Sequence, residues 1–359
     1  MQWDSHNGVT MGGGTPVEDI PQRSLQLSFT GSGSEFFRIW IVNTLLSIVT
    51  LGIYSAWAKV RTLQYFYRNT SLDGATFDYH GRPMAILKGR AIVFVLAGLF
   101  QFSGIVSPLL TLALVLVFAG VFPFLLLRSL RFRMANSSYR GLRFAFAGND
   151  AEAYKVFLLW PILTALSLYA LAPLAHQRFK RYQHNNTRFG TAPFAFDATA
   201  GDFYGTYLRT GMVMAAFMLA SAVAGVALGA AAGQPGTVVA VILGMMTIGT
   251  SLGFLMIRPY FTARLQNLVW NHTTLAPHRF RSEVRARRLL FISLTNLIGI
   301  VLTLGLFLPF ARVRATRYRV ESMTMLAAGP LDAFVAGEAE QVGALGDAAV
   351  DWYDIDIAL

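Results

Sequence analysis

Uncharged apolar runs alternate along the chain with short basic, aromatic and turn-rich segments. No Asp, Glu, Lys or Arg occurs from Ala91 to Leu127 or from Thr210 to Ile257, and shorter uncharged runs precede Lys59, His176 and Arg312. About 20 apolar residues span a hydrocarbon core. The runs therefore predict membrane segments at 37–58, 90–127, 155–175, 208–258 and 289–311, the second and fourth long enough to be helical hairpins. After most runs the period drops towards two, as in "NTSLDGATFDYHG", "NSSYRGLRFAFAG" and "NTRFGTAPFAFD". Alternating aromatics beside a glycine read as short extended pairs around a turn.

Alignment on an arginine that follows each run gives five copies, centred on Arg61, Arg128, Arg178, Arg264 and Arg314. Five positions upstream stand Ala56, Pro123, Pro173, Pro259 and Pro309, and four downstream Tyr65, Phe132, Tyr182, Leu268 and Tyr318. Sixteen downstream come Phe77, Phe144, Phe194 and Phe280; two further on stand Tyr79, Phe146 and Phe196, with Ser282 breaking the pattern. The N-terminal "LQLSFTG" resembles the second strand of this unit without a preceding helix. Arg128 to Arg178 and Arg264 to Arg314 are both 50 positions, and the pairs are offset by 136. That regularity indicates an internal duplication.

The expected organisation is a tail over 1–22, a first copy over 23–88, repeat halves over 89–207 and 208–335, and an acidic tail over 336–359. Lone two-stranded pieces are marginal. The fold class is thus a mainly α, polytopic helical membrane protein with internal repeats, whose short β-hairpins pair or pack into a small extramembrane cap. Segments 37–58 and 289–311 match closely, sharing Asn43 with Asn296 and Thr50-Leu51-Gly52 with Thr303-Leu304-Gly305. Asn43, Thr50, Asn296 and Thr303 are candidate intramembrane polar sites, the two Asn as interhelical hydrogen-bonding groups or as contacts to a solute.

Seven full crossings would place the basic loops 176–209 and 258–288 outside, against the positive-inside tendency. The alternative has segments 37–58, 155–175 and 289–311 enter and leave by one face as broken, re-entrant or interfacial helices, which Asn, Pro and Thr-Leu-Gly at mid-depth permit. Three crossings per half make the halves inverted; two make them parallel about the membrane normal.

Hydrophobic residues make up 54% of the 359 positions and charged ones only 14%, too apolar for a soluble protein of this size. The formal charge of +11 comes from 30 Lys and Arg against 19 Asp and Glu, placed at the ends of apolar runs. That placement implies anionic lipid headgroups as partners and a cytoplasmic basic face, not nucleic acid. Without cysteine there are no disulfides, thiolate metal sites or Cys nucleophiles. Met1 to Gln22 lacks the basic start and apolar run of a signal peptide.

The run from "FTGSGSEFFRIW" through "NTLLSIVTLGIYSAWAKVRTLQYFYRNTSLDGATFDYHG" resembles the opening of the YjgN-like bacterial inner-membrane proteins, a family classed by a domain of unknown function. The resemblance is carried by Asn43, Thr50-Leu51-Gly52, Tyr54, Trp57, Arg61 and Asn69-Thr70 and extends to "DWYDIDIAL". It implies a multi-pass protein of the bacterial inner membrane. It carries no established activity and no catalytic residues.

No nucleophile elbow, HExxH, Walker loop or paired-Cys site occurs, so no enzyme, metal or cofactor is expected. "GSGSEF" lacks the third glycine of a dinucleotide fingerprint, and His176 and His184 read as interfacial polar groups. Asp73, Asp78, Glu152, Asp197, Asp202 and Glu283 lie outside the apolar runs and read as turn, cap or salt-bridge residues. The apolar runs thus lack the charges of a proton relay. The acidic "DWYDIDIAL" is a candidate to dock on the basic cap. Two function classes remain: a transporter or lipid-handling protein, with a small solute or lipid passing between the halves and the five arginines at a cationic cytoplasmic mouth, or a non-transporting scaffold whose basic aromatic cap binds anionic lipid or a partner protein.

Overall fold

The computed structural model describes residues 22–231, 235–275 and 277–341. "DWYDIDIAL" and most of the N-terminal tail lie outside these residues. The strands are β1 (Gln22–Gln26), β2 (Ser28–Phe29), β3 (Thr70–Leu72), β4 (Ala75–Tyr79), β5 (Ser137–Tyr139), β6 (Leu142–Phe146), β7 (Thr187–Phe189), β8 (Ala192–Phe196), β9 (Thr273–Leu275), β10 (His278–Ser282) and β11 (Met323–Ala328). Between them run α1 (Gly33–Val49), α2 (Ser55–Arg68), α3 (Pro83–Val106), α4 (Pro108–Ala135), α5 (Asp150–Tyr154), α6 (Trp160–Leu166), α7 (Ala172–Asn185), α8 (Ala200–Ala231), α9 (Pro235–Asn271), α10 (Ala286–Leu302) and α11 (Leu308–Glu321); residues 331–341 form α12.

The strands make one sheet in the order β1-β11-β10-β9-β8-β7-β6-β5-β4-β3-β2. Its two ends are one piece of chain: only Leu27 separates β1 from β2, and the Leu27 N–H donates to the Met323 carbonyl at 3.0 Å. Gln22–Gln26 pairs with Thr324–Ala328, while Ser28 and Phe29 pair with Ser71 and Thr70. The sheet is therefore a closed antiparallel barrel, and closure removes the edges that the short hairpins would otherwise expose. "LQLSFTG" supplies the second strand of the fifth unit, whose first strand is β11; the unit is split between the two ends of the sequence.

Because side chains alternate along strands, one set fills the barrel. Leu25, Leu72, Tyr139, Phe189, Phe194 and Met325 are buried in one cluster, with Phe77, Phe144 and Phe280 packed against it. The phenylalanines sixteen positions after the first four arginines pack around this core, Phe194 on Phe280 at 6.1 Å and Phe144 against Phe189 at 5.0 Å. The barrel is a packed core, not a pore.

One rim holds the tight turns. Asp73-Gly74 and Arg140-Gly141 have φ of 47°, 75°, 48° and 81°, the paired positive values that two-residue hairpin turns need. Across this rim lies α12, with Leu331 and Val335 in the core cluster, Asp332 paired with Arg140, and Glu338 accepting from the Thr191 and Ala192 N–H groups at 2.7 and 2.8 Å. Arg140 also pairs with Asp73 at 3.1 Å. Elsewhere Asp78 pairs with Arg68 and Glu283 with Arg281, the roles expected of them.

From the other rim hang five helical hairpins, each leaving at the end of one strand and returning to the start of the next. In chain order they alternate short and long, α1–α2, α3–α4, α5–α7, α8–α9 and α10–α11, so that the two short hairpins α10–α11 and α1–α2 meet where the ring closes. Ring neighbours pack all the way round, including α11 on α1. Among the described residues, only α3, α4, α8 and α9 are long and apolar enough to cross a membrane. In the longer pair, Gly225 and Gly229 bring α8 onto the backbone of Ile242 and Val238, the close approach that small residues allow between apolar helices.

The three short hairpins reverse at equivalent residues, and the reversal explains Thr-Leu-Gly. The Thr50 hydroxyl donates to the Leu46 carbonyl at 2.7 Å and accepts from the Tyr54 N–H at 2.9 Å; Thr303 does the same with Gly299 and Phe307. Ser167 takes this place in the middle copy, accepting from the Leu171 N–H. Leu51, Leu168 and Leu304 then stand at φ near 50°, followed by Gly52 and Gly305 at 90° and 95° and by Tyr169 at 66°. Such a turn satisfies its own backbone groups, as hydrocarbon requires. The leucines are 95%, 90% and 95% exposed, and each stands ten positions before its arginine, about 15 Å along a helix and about half a hydrocarbon core. The polar candidates Thr50 and Thr303 thus serve the turn. Helix α6 ends at the third such reversal; ahead of it, Lys155–Leu159 takes a π-helical turn, accommodating Pro161, which has no N–H for an α-helical bond.

Candidate functional site

Each returning helix carries one of the five arginines, and each arginine stands nine positions before the strand that follows: Thr70, Ser137, Thr187, Thr273 and Met323. At 1.5 Å per helical residue that sets all five at one level, about 14 Å from the strands. The residue one before, Val60, Leu127, Gln177, Ala263 or Val313, is buried, as are Ala56, Pro123, Pro173, Pro259 and Pro309 five before. Positions −5 and −1 therefore pack inward while the arginine itself is exposed. The result is a collar.

Aromatic rings hold four of its members. The guanidinium groups lie over Tyr54 for Arg61 at 5.8 Å, Phe124 for Arg128 at 5.0 Å, Trp160 for Arg178 at 5.8 Å and Tyr260 for Arg264 at 5.6 Å. Arg314 instead donates to Asn296 Oδ1 at 2.8 Å and to Thr295. Trp160 and Asn296 are equivalent residues, eighteen positions before their arginines, so an aromatic face and an amide perform one task. Among the described residues none of the five makes a salt bridge. Their charge is available to an anion.

Asn43 departs from this scheme. It is buried, 4% exposed, and neither its Oδ1 nor its Nδ2 has a hydrogen-bond partner in the protein, whereas Asn296 also donates to the Ala311 carbonyl at 3.1 Å. An unpaired buried amide costs free energy, and an apolar replacement of similar shape relieves it. Asn43→Leu is expected to keep or raise the melting temperature in detergent, and Asn296→Leu to lower stability by about 1–3 kcal/mol. Equal losses from both would refute the asymmetry.

Above the collar, three latches tie the two legs of each short hairpin where they meet the barrel. Tyr65 and Tyr182 donate to the Ser32 and Asn149 carbonyls at 2.8 and 3.1 Å, and Tyr318 accepts from the Arg285 N–H at 2.8 Å. Burial, reinforced by Glu35 and Glu152 respectively, pushes Tyr65 and Tyr182 up to about 12, so both stay protonated donors. Phe132 and Leu268, the equivalents on α4 and α9, have no hydroxyl to latch. Ser282, which broke the aromatic series, is buried and donates to Asn267 Oδ1.

His176 and His184 bond Tyr207 and Thr273, and burial beside Lys180 pushes both down to about 4. They are neutral packing groups. Among the described residues no cluster of His, Cys, Asp or Glu could hold a metal. What sequence reasoning missed is a cleft between α9 and α10 of about 850 Å³, lined by Tyr260, Arg264, Arg285, Arg287, Arg288 and Phe291 among others. Its signal was available in "RSEVRARR" over residues 281–288, a charge run directly before an apolar one.

Comparison with known proteins gives the setting. Inner membrane protein YjgN of Salmonella typhimurium is 30% identical over 147 residues, 40% of this chain and 36% of its own. Inner membrane proteins YjgN of two Escherichia coli strains are 31% identical over 156 residues, 42% of this chain and 37% of theirs. The chain thus spans little more than a third of the length of the curated relatives it matches. No solved structure matches. The relatives and the four long apolar helices identify a protein of the bacterial inner membrane. The family described as "Bacterial protein of unknown function (DUF898)" matches over residues 24–352, and the chain belongs to it.

Proposed function

We propose that the protein is a non-transporting membrane scaffold that holds anionic lipid headgroups in its arginine collar and presents the barrel on the cytoplasmic side. The single observation that carries the reading is the collar: five exposed arginines at one level, steadied by rings or an amide and, among the described residues, without a carboxylate partner. Lys and Arg close to an anionic surface contribute about 1 kcal/mol each. The barrel's apolar filling and the α12 lid weigh against passage of a solute along its axis.

The test replaces Arg61, Arg128, Arg178 and Arg314 by Gln together. Native mass spectrometry of the protein from mixed micelles then compares retained phosphatidylglycerol with phosphatidylcholine. The variant is expected to lose at least tenfold of the anionic preference while remaining folded and monodisperse, its melting temperature lowered by the loss of the Arg314–Asn296 bond. An undiminished preference rejects the reading, and solute flux into vesicles that needs the four arginines restores transport.

A further inference from the structure

We propose that the cleft between α9 and α10 is a binding site for two phosphate groups carried by one molecule, an inference that rests on the collar reading and deepens it at one place. Arg264 reaches the cleft from α9; Arg285, Arg287 and Arg288 reach it from the start of α10. Four guanidinium groups share one opening with no carboxylate in its lining. The neighbouring Glu283 is paired with Arg281. Arginine forks bind phosphate oxygens two at a time. Adjacent helical residues such as Arg287 and Arg288 project about 100° apart, so they serve two phosphates more readily than one.

Helix polarity points the same way. Three hairpins begin conventionally: α1 with the Ser32 cap and Glu35, α5 with the Asn149 cap and Asp150 and Glu152, α8 with Thr199 bonded to Asp202. Such carboxylates offset the positive end of the helix dipole. Helix α10 has no side-chain cap, no carboxylate in its first turn, and arginines there instead. Its first N–H groups, which no helix can satisfy internally, open beside the same four cations. Helix α3 also starts with an arginine and no acid, but Pro83 removes a donor and Arg90 is bonded to Ser55. An anion at α10 resolves a repulsion that the chain otherwise leaves standing.

The walls match a lipid better than a free ion. Tyr260 lies under Arg264 at 5.6 Å and Phe291 under Arg288 at 6.0 Å. Phe291 is 56% exposed at the mouth, next to Leu290. An acyl chain could leave past these rings into the bilayer while the headgroup stays among the arginines.

The experiment titrates full-length protein in neutral detergent with diphosphatidylglycerol, phosphatidylglycerol and soluble glycerol bisphosphate, counting bound molecules by native mass spectrometry. One diphosphatidylglycerol per chain is expected to bind at least tenfold more tightly than phosphatidylglycerol. The R285Q/R287Q/R288Q variant should abolish that advantage, and the four-arginine collar variant should keep it. Glycerol bisphosphate binding equally tightly, with the same sensitivity, supports the site and makes its occupant soluble. R287E serves as a second, single variant at an exposed residue. Equal affinity for the one- and two-phosphate lipids, or an advantage surviving both R285Q/R287Q/R288Q and R287E, overturns the proposal; loss of anionic preference in the collar variant alone upholds the collar without it.

Discussion

Deleting residues 22–29 is expected to abolish the folded protein rather than trim a terminus. The segment supplies β1 and β2, the piece that joins β11 to β3. Its loss opens two strand edges, removes Leu25 from the barrel core and removes Phe29 from the cluster with Phe36, Tyr65 and Val313. Burying a leucine or phenylalanine contributes about 1.5–3 kcal/mol. Two such residues and a ring of backbone bonds approach the 5–15 kcal/mol that holds a typical domain together. Size-exclusion chromatography of the deletion variant should show aggregate in place of the monodisperse parent. A synthetic peptide of residues 22–32 added during refolding should restore part of it by strand addition. A monodisperse deletion variant with the parental melting temperature would mean that the barrel does not depend on closure.

The dependence is instructive because the closing pair is what a linear reading is least able to see. Phe77, Phe144, Phe194 and Phe280 were legible as strand positions, since alternation is local and the arginine register repeats it. That "LQLSFTG" was a second strand was legible too. Its partner was not: Gln22–Gln26 meets Thr324–Ala328 about 300 positions away, and no local pattern encodes a pairing at that distance. Helix α12 was overlooked for another reason. Leu331, Phe334 and Val335 follow helical spacing, but the acidic residues from Glu338 onward set the expected boundary between the second half and the tail at 335/336, which cuts this helix in two.

Within the site, repetition exposed the five arginines, while chemistry at single positions stayed hidden. Asn43 and Asn296 are equivalent in sequence, yet only Asn296 finds both its partners. Thr50 and Thr303 were candidate intramembrane polar sites, and the geometry spends the proton and one lone pair of each hydroxyl on the backbone of the turn. Of the α9–α10 cleft arginines only Arg264 belongs to the repeat register; Arg285, Arg287 and Arg288 stand outside it, so alignment on the repeat passed over them. A signal that occurs once is invisible to an argument from recurrence.

Recurrence also decides sidedness, and this carries the second large prediction. Seven crossings would put residues 128–154 on one face of the membrane and 176–209 and 258–288 on the other. In the barrel, Ala145 on β6 pairs with Arg188 on β7, and Phe194 on β8 pairs with Leu275 on β9. Paired strands cannot lie on opposite sides of a bilayer. Single cysteines at the exposed positions Arg143, Arg188 and Arg279, in a chain that has no thiol of its own, should therefore react with an impermeant maleimide from the same side, the cytoplasm. Cysteines at Ser107 and Gly236, at the far ends of the long hairpins, should react from the periplasm. Leu51 and Leu304 should be protected from both faces until detergent is added, because a hairpin that descends about 15 Å ends within the hydrocarbon. Labelling of position 143 from one side and of 188 and 279 from the other would dissolve the barrel and the collar with it. Labelling of all three together leaves four crossings, two long hairpins parallel about the membrane normal, and three short ones dipping into a single leaflet.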